Sequence, residues 1–291
     1  MQVGDIVARK SYHKDINFKI VDLRQTKEGT IYTLKGINLR IIADSNVDDL
    51  ELVSENNVSE NDKIFNRKIN TSIKKVLMSR LNVSKKYRSA LVDKSKDTKS
   101  KEVAFGRPGK VLHIDSDPEY MNTCLKVYKQ LSIEAVGTVI PEKDQASSVV
   151  ELIKSIRPDI VVITGHDGMV KGSKNYLDLA NYKNSKYFVD TVAEIRTYQP
   201  NYDDLVIFAG ACQSCYEAIL DAGANFASSP SRILIHCLDP VFVCEKIAYT
   251  NFEKVVPIQD VIENTITGIK GIGGLQTRGK YREGFPKSQY A

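Results

Sequence analysis

The chain has 291 residues, 42% apolar and 26% charged, with a formal net charge of +5. That length holds one substantial core and a smaller module, and the composition excludes a disordered or collagen-like chain. No apolar run approaches the ~20 residues of a membrane span, and the five cysteines, an odd number lying mostly in apolar runs, indicate reduced thiols rather than a disulfide framework.

The opening Met-Gln-Val-Gly-Asp-Ile lacks the basic-then-apolar layout of a signal peptide, which points to a cytoplasmic protein. Residues 1–53 carry strand signals at 5–8, 18–23, 30–34 and 39–43, separated by turn residues such as Lys27-Glu-Gly29 and Lys35-Gly36. Short strands at close spacing predict a small all-β, SH3-like barrel. Its basic patch and interleaved aromatics are too weak for a nucleic-acid surface, so an adaptor role is expected.

Residues 54–109 form a basic connector. From Glu60 to Lys110 there are fifteen Lys and Arg against five Asp and Glu, so the rest of the chain is net acidic. Apolar spacing at Ile73, Val76, Leu77 and Leu81 predicts an amphipathic helix over 69–81, whereas the lysine- and serine-rich 94–101 reads as mobile. Arg67, Arg80, Arg88 and Arg107 make the connector a target for any peptidase that cuts after arginine.

From Lys110 the pattern alternates. Strands are expected at 111–115, 134–140, 159–164, 205–209, 232–238 and 254–258. Helices are expected at 118–131, 144–156, 185–198, 214–221, 241–249 and 258–267, the first capped by Asp117 with Pro118 at its first position. This alternation predicts an α/β domain over 110–267, with a parallel sheet between helices. The glycine-rich basic tail, 268–291, is expected to be partly disordered.

Two of these strands stop at reactive side chains. One ends in Thr164-Gly-His166-Asp-Gly168, the other in Ala209-Gly-Ala-Cys212-Gln-Ser214. Both ends lie on the carboxyl edge of the sheet, where ligands of open α/β folds bind. A thiol needs a base to become a nucleophile at neutral pH, and an imidazole titrates in the right range. A helix opening after Cys212 would stabilise a thiolate. Cys212-Gln-Ser-Cys215 also spells C-x-x-C, which leaves a thiol–disulfide redox protein as an alternative. His113 and His236 lie inside their predicted strands, and His13 belongs to the barrel. The acidic pair Asp115-Ser-Asp117 after the first strand resembles the layout of a receiver domain, but Thr164-Gly-His166 stands where that domain needs its phosphoacceptor.

The ordered pair, a strand ending in His then a strand ending in Ala-Cys, resembles cysteine peptidases of the caspase, gingipain and clostripain type. With the opening Val3-Gly-Asp-Ile-Val-Ala-Arg-Lys-Ser-Tyr12, it also resembles the YabG family of sporulation proteases, over the whole chain. The resemblance implies a caspase-like fold and a Cys/His dyad: Cys212 as nucleophile, His166 as general base and acid, and an oxyanion hole from the amides of Gly168 and Cys212. It implies cleavage after arginine, spore coat and cortex-associated proteins as substrates and partners, self-processing, and a mother-cell location. No cofactor, metal, membrane or nucleic acid enters this reading. An arginine pocket needs a carboxylate, since an unpaired guanidinium is costly to bury. Asp239, after the strand 232–238, is the first choice, then Asp167, then Asp178. The non-enzymatic rival is a spore coat scaffold with a degenerate site.

Overall fold

The computed structural model describes residues 1–27, 29–53, 60–92, 105–286 and 288, without the side chains of 60–62 and 82–92. The first part is an antiparallel sheet of β1 (Ile6–Arg9), β2 (Asn17–Thr26), β3 (Gly29–Gly36), β4 (Ile42–Asn46) and β5 (Leu50–Leu52), in the order β4-β3-β2-β1-β5. Val7, Phe18, Ile20, Tyr32, Leu34 and Leu50 form its core. β4 begins later than the expected strand at 39–43, because residues 38–40 leave the sheet to bond with residues 235–237.

The predicted amphipathic helix extends in both directions as α1 (Glu60–Val92). Its Ile73 and Val76 are buried in the main core, so at this point the connector is a packed element. The lysine-rich 94–101 lies outside the described residues. β6 (Phe105–Arg107) follows.

The α/β alternation holds. β7 (Val111–Asp115), α2 (Pro118–Gln130), β8 (Ala135–Val139), α3 (Glu142–Ile156), β9 (Ile160–Thr164), α4 (Ser185–Tyr198), β10 (Val206–Ala209), α5 (Tyr216–Asp221), β11 (Phe226–Ser228) and α6 (Asp239–Ala248) succeed one another. After them come β12 (Val255–Val256), α7 (Ile258–Ile262), β13 (Ile272–Gly274), β14 (Thr277–Arg278) and β15 (Arg282–Gly284). The central sheet has the order β13-β11-β10-β9-β7-β8, parallel except for β13. Alternate strand residues serve opposite faces, as the pleat requires. Val111, Ile160, Val162 and Phe208 pack with α1, α2, α6 and α7, whereas Leu112, Ile114, Val161 and Ile207 pack with α3, α4 and α5.

Two expectations change. Residues 232–238 are not a strand of the sheet. They run past its carboxyl edge, and His236 makes one isolated antiparallel bridge, to Leu39. The strand that occupies the expected place is β11, whose short Phe-Ala-Ser run was hidden beside Gly223. The tail is ordered where described: β13 closes an edge of the central sheet, β14 pairs with β12, and β15 pairs with β6.

Candidate active site at the carboxyl edge of the sheet

β9 and β10 are parallel neighbours with Ile163 level with Ala209. His166 and Cys212 each lie three residues beyond that pair, so adjacent strands about 4.8 Å apart deliver them to the same edge. Cys212 sits in a tight turn. Gly210 has φ +107°, and a Cβ there would lie 2.5 Å from Ser228 Oγ. Gln213 has φ +57°, a conformation that costs a non-glycine residue on the order of 1 kcal/mol and that clusters at functional sites. It is held there because its N–H donates to Ile233 O at 3.2 Å and Ser229 Oγ at 3.1 Å.

The His166 ring is fixed from one side. Its Nε2 lies 3.0 Å from Asp117 Oδ2, and the ring packs beside Tyr120 at 5.8 Å between centroids. Burial alone would raise the Asp117 pKa, but His166 and Lys35 hold it well below the usual carboxylate range. An ionised carboxylate only accepts, so the Nε2 that faces it is the donor of this pair. Nδ1 is buried and has no hydrogen-bond partner among the described residues. The sequence suggested a dyad. The structure also brings Asp117 to the His166 ring, and Asp117 caps α2 by accepting from the amides of Glu119 and Tyr120 at 2.9 and 3.1 Å. The signal was Asp115-Ser-Asp117, set aside as a receiver-like feature.

Cys212 is 1% exposed, and its Sγ accepts from the N–H of Ile235 at 3.1 Å. Burial pushes its pKa up to about 12, against the pull of the Ile235 amide and Arg40. The thiol is therefore neutral in this state. The helix expected to begin at Ser214 is only α5, from Tyr216, and a helix dipole acts mainly within its first turn.

The remaining candidates are spread out. The Gly168 N–H donates to Asp167 Oδ1 at 2.8 Å, so it does not face an empty oxyanion site. A Cβ on Gly168 would lie 3.5 Å from Gln213 Oε1, so the two loops meet at that point. Asp167 also accepts from the Asn184 N–H and the Ser185 hydroxyl, tying its loop to α4, and burial raises its pKa. Asp239 is fully buried. It accepts from Ile266 N at 2.6 Å, Thr267 N at 3.2 Å, His236 N at 3.1 Å and the Thr267 hydroxyl. Four donors saturate its two oxygens, so it braces α6 against the segment before Gly268. Asp178 accepts from Ala180 N at 2.9 Å and caps a single turn.

His113 is buried between the Tyr128 hydroxyl at 3.2 Å and Thr164 Oγ1 at 2.9 Å. His236 is buried edge-on to Phe65. All five cysteines are free and buried, and Cys215 packs with its N–H on Ser185 Oγ. Arg67 and Arg80 lie within α1, and Arg80 is clamped by Glu245 at 2.6 Å and the Tyr249 ring at 3.3 Å. Arg107 lies in β6 and pairs with β15. Self-cutting at these arginines requires local unfolding first.

The profile of the family described as YabG peptidase U57 matches residues 2–286. The chain belongs to the YabG peptidase family. The resemblance carried by the opening segment and the two strand-end motifs thus holds over the whole length. A YabG relative, the sporulation-specific protease YabG of Bacillus subtilis (strain 168), is 42% identical over 286 residues, covering 98% of both chains. A solved structure of the Salmonella typhimurium RcsB response regulator aligns over 41% of this chain and 50% of its own, at 15% identity and a TM-score of 0.27, too low to indicate a shared fold. Among the described residues of this YabG family member, no helix is long and apolar enough to cross a membrane.

Proposed function

We propose that the chain is a cysteine endopeptidase acting in sporulation, with Cys212 as nucleophile and His166 as base and acid. The observation that carries this reading is the delivery of both residues to one sheet edge, with His166 Nε2 anchored on Asp117 and Nδ1 without a hydrogen-bond partner among the described residues. His166 Nδ1 takes the thiol proton, and Asp117 stabilises the imidazolium that forms. Cys212 Sγ then attacks the scissile carbonyl, forming the C–S bond. Nδ1 returns the proton to the leaving amine, and water hydrolyses the acyl-enzyme. The Cys212 amide is the remaining candidate oxyanion donor, with Gly168 released if Asp167 turns away. The similarity to the sporulation-specific protease YabG of Bacillus subtilis supports the protease role. Cleavage after arginine, spore coat and cortex-associated substrates, self-processing and a mother-cell location belong to this proposal.

The test is incubation of the purified chain with peptidyl-arginine substrates, with and without a thiol alkylator, beside Cys212→Ala and Cys215→Ala. Cleavage lost to alkylation and to Cys212→Ala, but kept in Cys215→Ala, supports the assignment. Equal loss in both variants favours the redox alternative and removes the peptidase mechanism.

A further inference from the structure

The tip of the β3–β4 hairpin is inserted into this site. Residues 38–40 run antiparallel to residues 235–237: the Arg40 N–H donates to Ile235 O at 3.3 Å, the Cys237 N–H donates to Asn38 O at 3.0 Å, and Leu39 bridges His236. This is strand addition, in which backbone bonds give affinity and side-chain pockets give selectivity. Ile235 is shared, because its N–H donates to Cys212 Sγ while its carbonyl accepts from Arg40.

Arg40 is fully buried although it is a surface-type residue. Its Nη2 meets Asp115 Oδ2 at 2.6 Å, and the guanidinium carbon lies 5.0 Å from the Tyr120 ring centroid. The Nη2 contact is an ion pair whose angles fall short of a hydrogen bond, and Nε, Nη1 and Nη2 all lack a well-aligned acceptor among the described residues. Asp115 is 0% exposed and stands at the end of β7, on the same sheet edge as His166 and Cys212. Burial opposes ionisation of Asp115, and Arg40 holds its pKa below the usual range. The hairpin is held by further contacts. Lys35 pairs with Asp117 at 2.6 Å and Glu119 at 2.7 Å, and the Tyr120 hydroxyl donates to Leu39 O at 2.8 Å.

A purely structural bridge between the domains would not need a guanidinium here. A buried ion pair gains little over apolar packing unless every donor is satisfied, and this one is not. The arrangement is that of a peptide bound with its arginine in a selectivity pocket and its backbone beside the nucleophile. Accepting the cysteine-peptidase reading above, we infer that residues 38–40 are a resident pseudosubstrate, and that Asp115 is the carboxylate that receives the substrate's arginine.

The backbone geometry favours a plug over a substrate. The Ile41 N–H is closed onto Leu39 O at 2.8 Å, a tight turn at Arg40 rather than the extended chain a peptidase cuts. Ile41 O accepts from the Gly36 N–H, and Ile42 pairs with Lys35, so a departing amine would stay in place for religation. A real substrate must displace the hairpin from the groove. The same displacement admits water to Cys212, whose raised pKa is caused first by burial.

The full-length chain and its Arg40→Ala variant are compared on a peptidyl-arginine substrate and its citrulline analogue, which keeps the shape and loses the charge. The expected result is a kcat/KM for the arginine peptide at least about tenfold higher in Arg40→Ala. Adding Asp115→Asn to that variant should collapse the preference for arginine over citrulline by about a hundredfold. Since Arg40→Ala could misfold, a second measurement uses the wild type. Alkylation of Cys212 by a peptidyl-arginine chloromethyl ketone should raise amide hydrogen exchange across residues 37–41, with residues 6–9 unchanged. Cleavage of the arginine peptide with equal kcat/KM in wild type and Arg40→Ala overturns the pseudosubstrate while leaving the peptidase intact. An adduct that leaves exchange at 37–41 unchanged does the same. An arginine preference that survives Asp115→Asn overturns the pocket assignment. Failure of every form to cleave or to accept the ketone overturns the peptidase reading and this inference with it.

Discussion

The two ends of the amino-terminal sheet are built from the same two strands and have opposite fates. Along β2, Asn17 and Phe18 are buried and every residue from Asp22 to Thr26 is exposed; along β3, Gly29 is exposed and Tyr32 to Gly36 are buried. The far turn carries local bonds such as Thr26 Oγ1 to Gly29 O at 2.7 Å, whereas the near turn reaches Asp115, Asp117, Tyr120 and Ile235. The difference shows that the sheet does its work at one end. Its small core holds the strands that present the hairpin tip.

The largest test of this contrast is at the nucleophile. Cys212→Ala should abolish peptide cleavage while the circular dichroism spectrum and melting temperature stay close to wild type, because a thiol and a methyl pack similarly. Residual turnover above that of a heat-killed control would remove Cys212 from the mechanism.

Asp117→Asn should be the next largest. The ring then loses the charge that stabilises its protonated form, and kcat should fall about 10²-fold or more with KM little changed. The pH–rate profile should also shift, which a cap defect worth ~1 kcal/mol of stability would not produce. A proportionate rise in KM with an unchanged profile would make Asp117 a docking residue for Lys35 instead.

A smaller effect concerns the buried imidazoles beneath the docked end. Burial pulls the pKa values of His113 and His236 from 6.5 to about 3. Below pH 6.5 the unfolded chain takes up protons that the folded chain refuses until about pH 3, so stability is lost as pH falls through that window. Each ring contributes about 1.4 kcal/mol per pH unit. Urea unfolding of His113→Gln should show a slope shallower by one such amount; an unaltered slope would mean that His113 is protonated in the fold.

The smallest effect belongs to the far turn. Asp22 and Arg24 face each other at 3.6 Å with both side chains more than half exposed. Replacing both with serine should change stability by no more than about 0.5 kcal/mol and leave cleavage unaltered. A change in kcat/KM would mean that the sheet acts as one lever rather than at one end.

Much of the site could be read from local sequence. The runs ending at His166 and Cys212 are short, β-branched and flanked by glycine, so strand, edge and order followed from pattern alone. Asp117 was legible as a helix cap, but its second oxygen was not, because a cap and a histidine anchor look identical in sequence. Asp239 drew attention by preceding Pro240. Its four donors come from residues 236, 266 and 267, and no local rule links 239 to 267. Arg40 was invisible for a similar reason: in a strand pattern it reads as the polar member of an alternating run. Residues 232–238 have the composition of a strand, and in the fold they use that propensity to hold residues 38–40 rather than to join the sheet.

The Leu39–His236 bridge spans roughly 200 residues of chain, so its loop-closure entropy is among the largest in the fold. Contacts of that separation form late, after both partners have surfaces to offer. The groove at 235–237 exists only once the central sheet has assembled, whereas the hairpin needs only its own small core. Residues 38–40 therefore cannot add to that edge before the segment they pair with is in place.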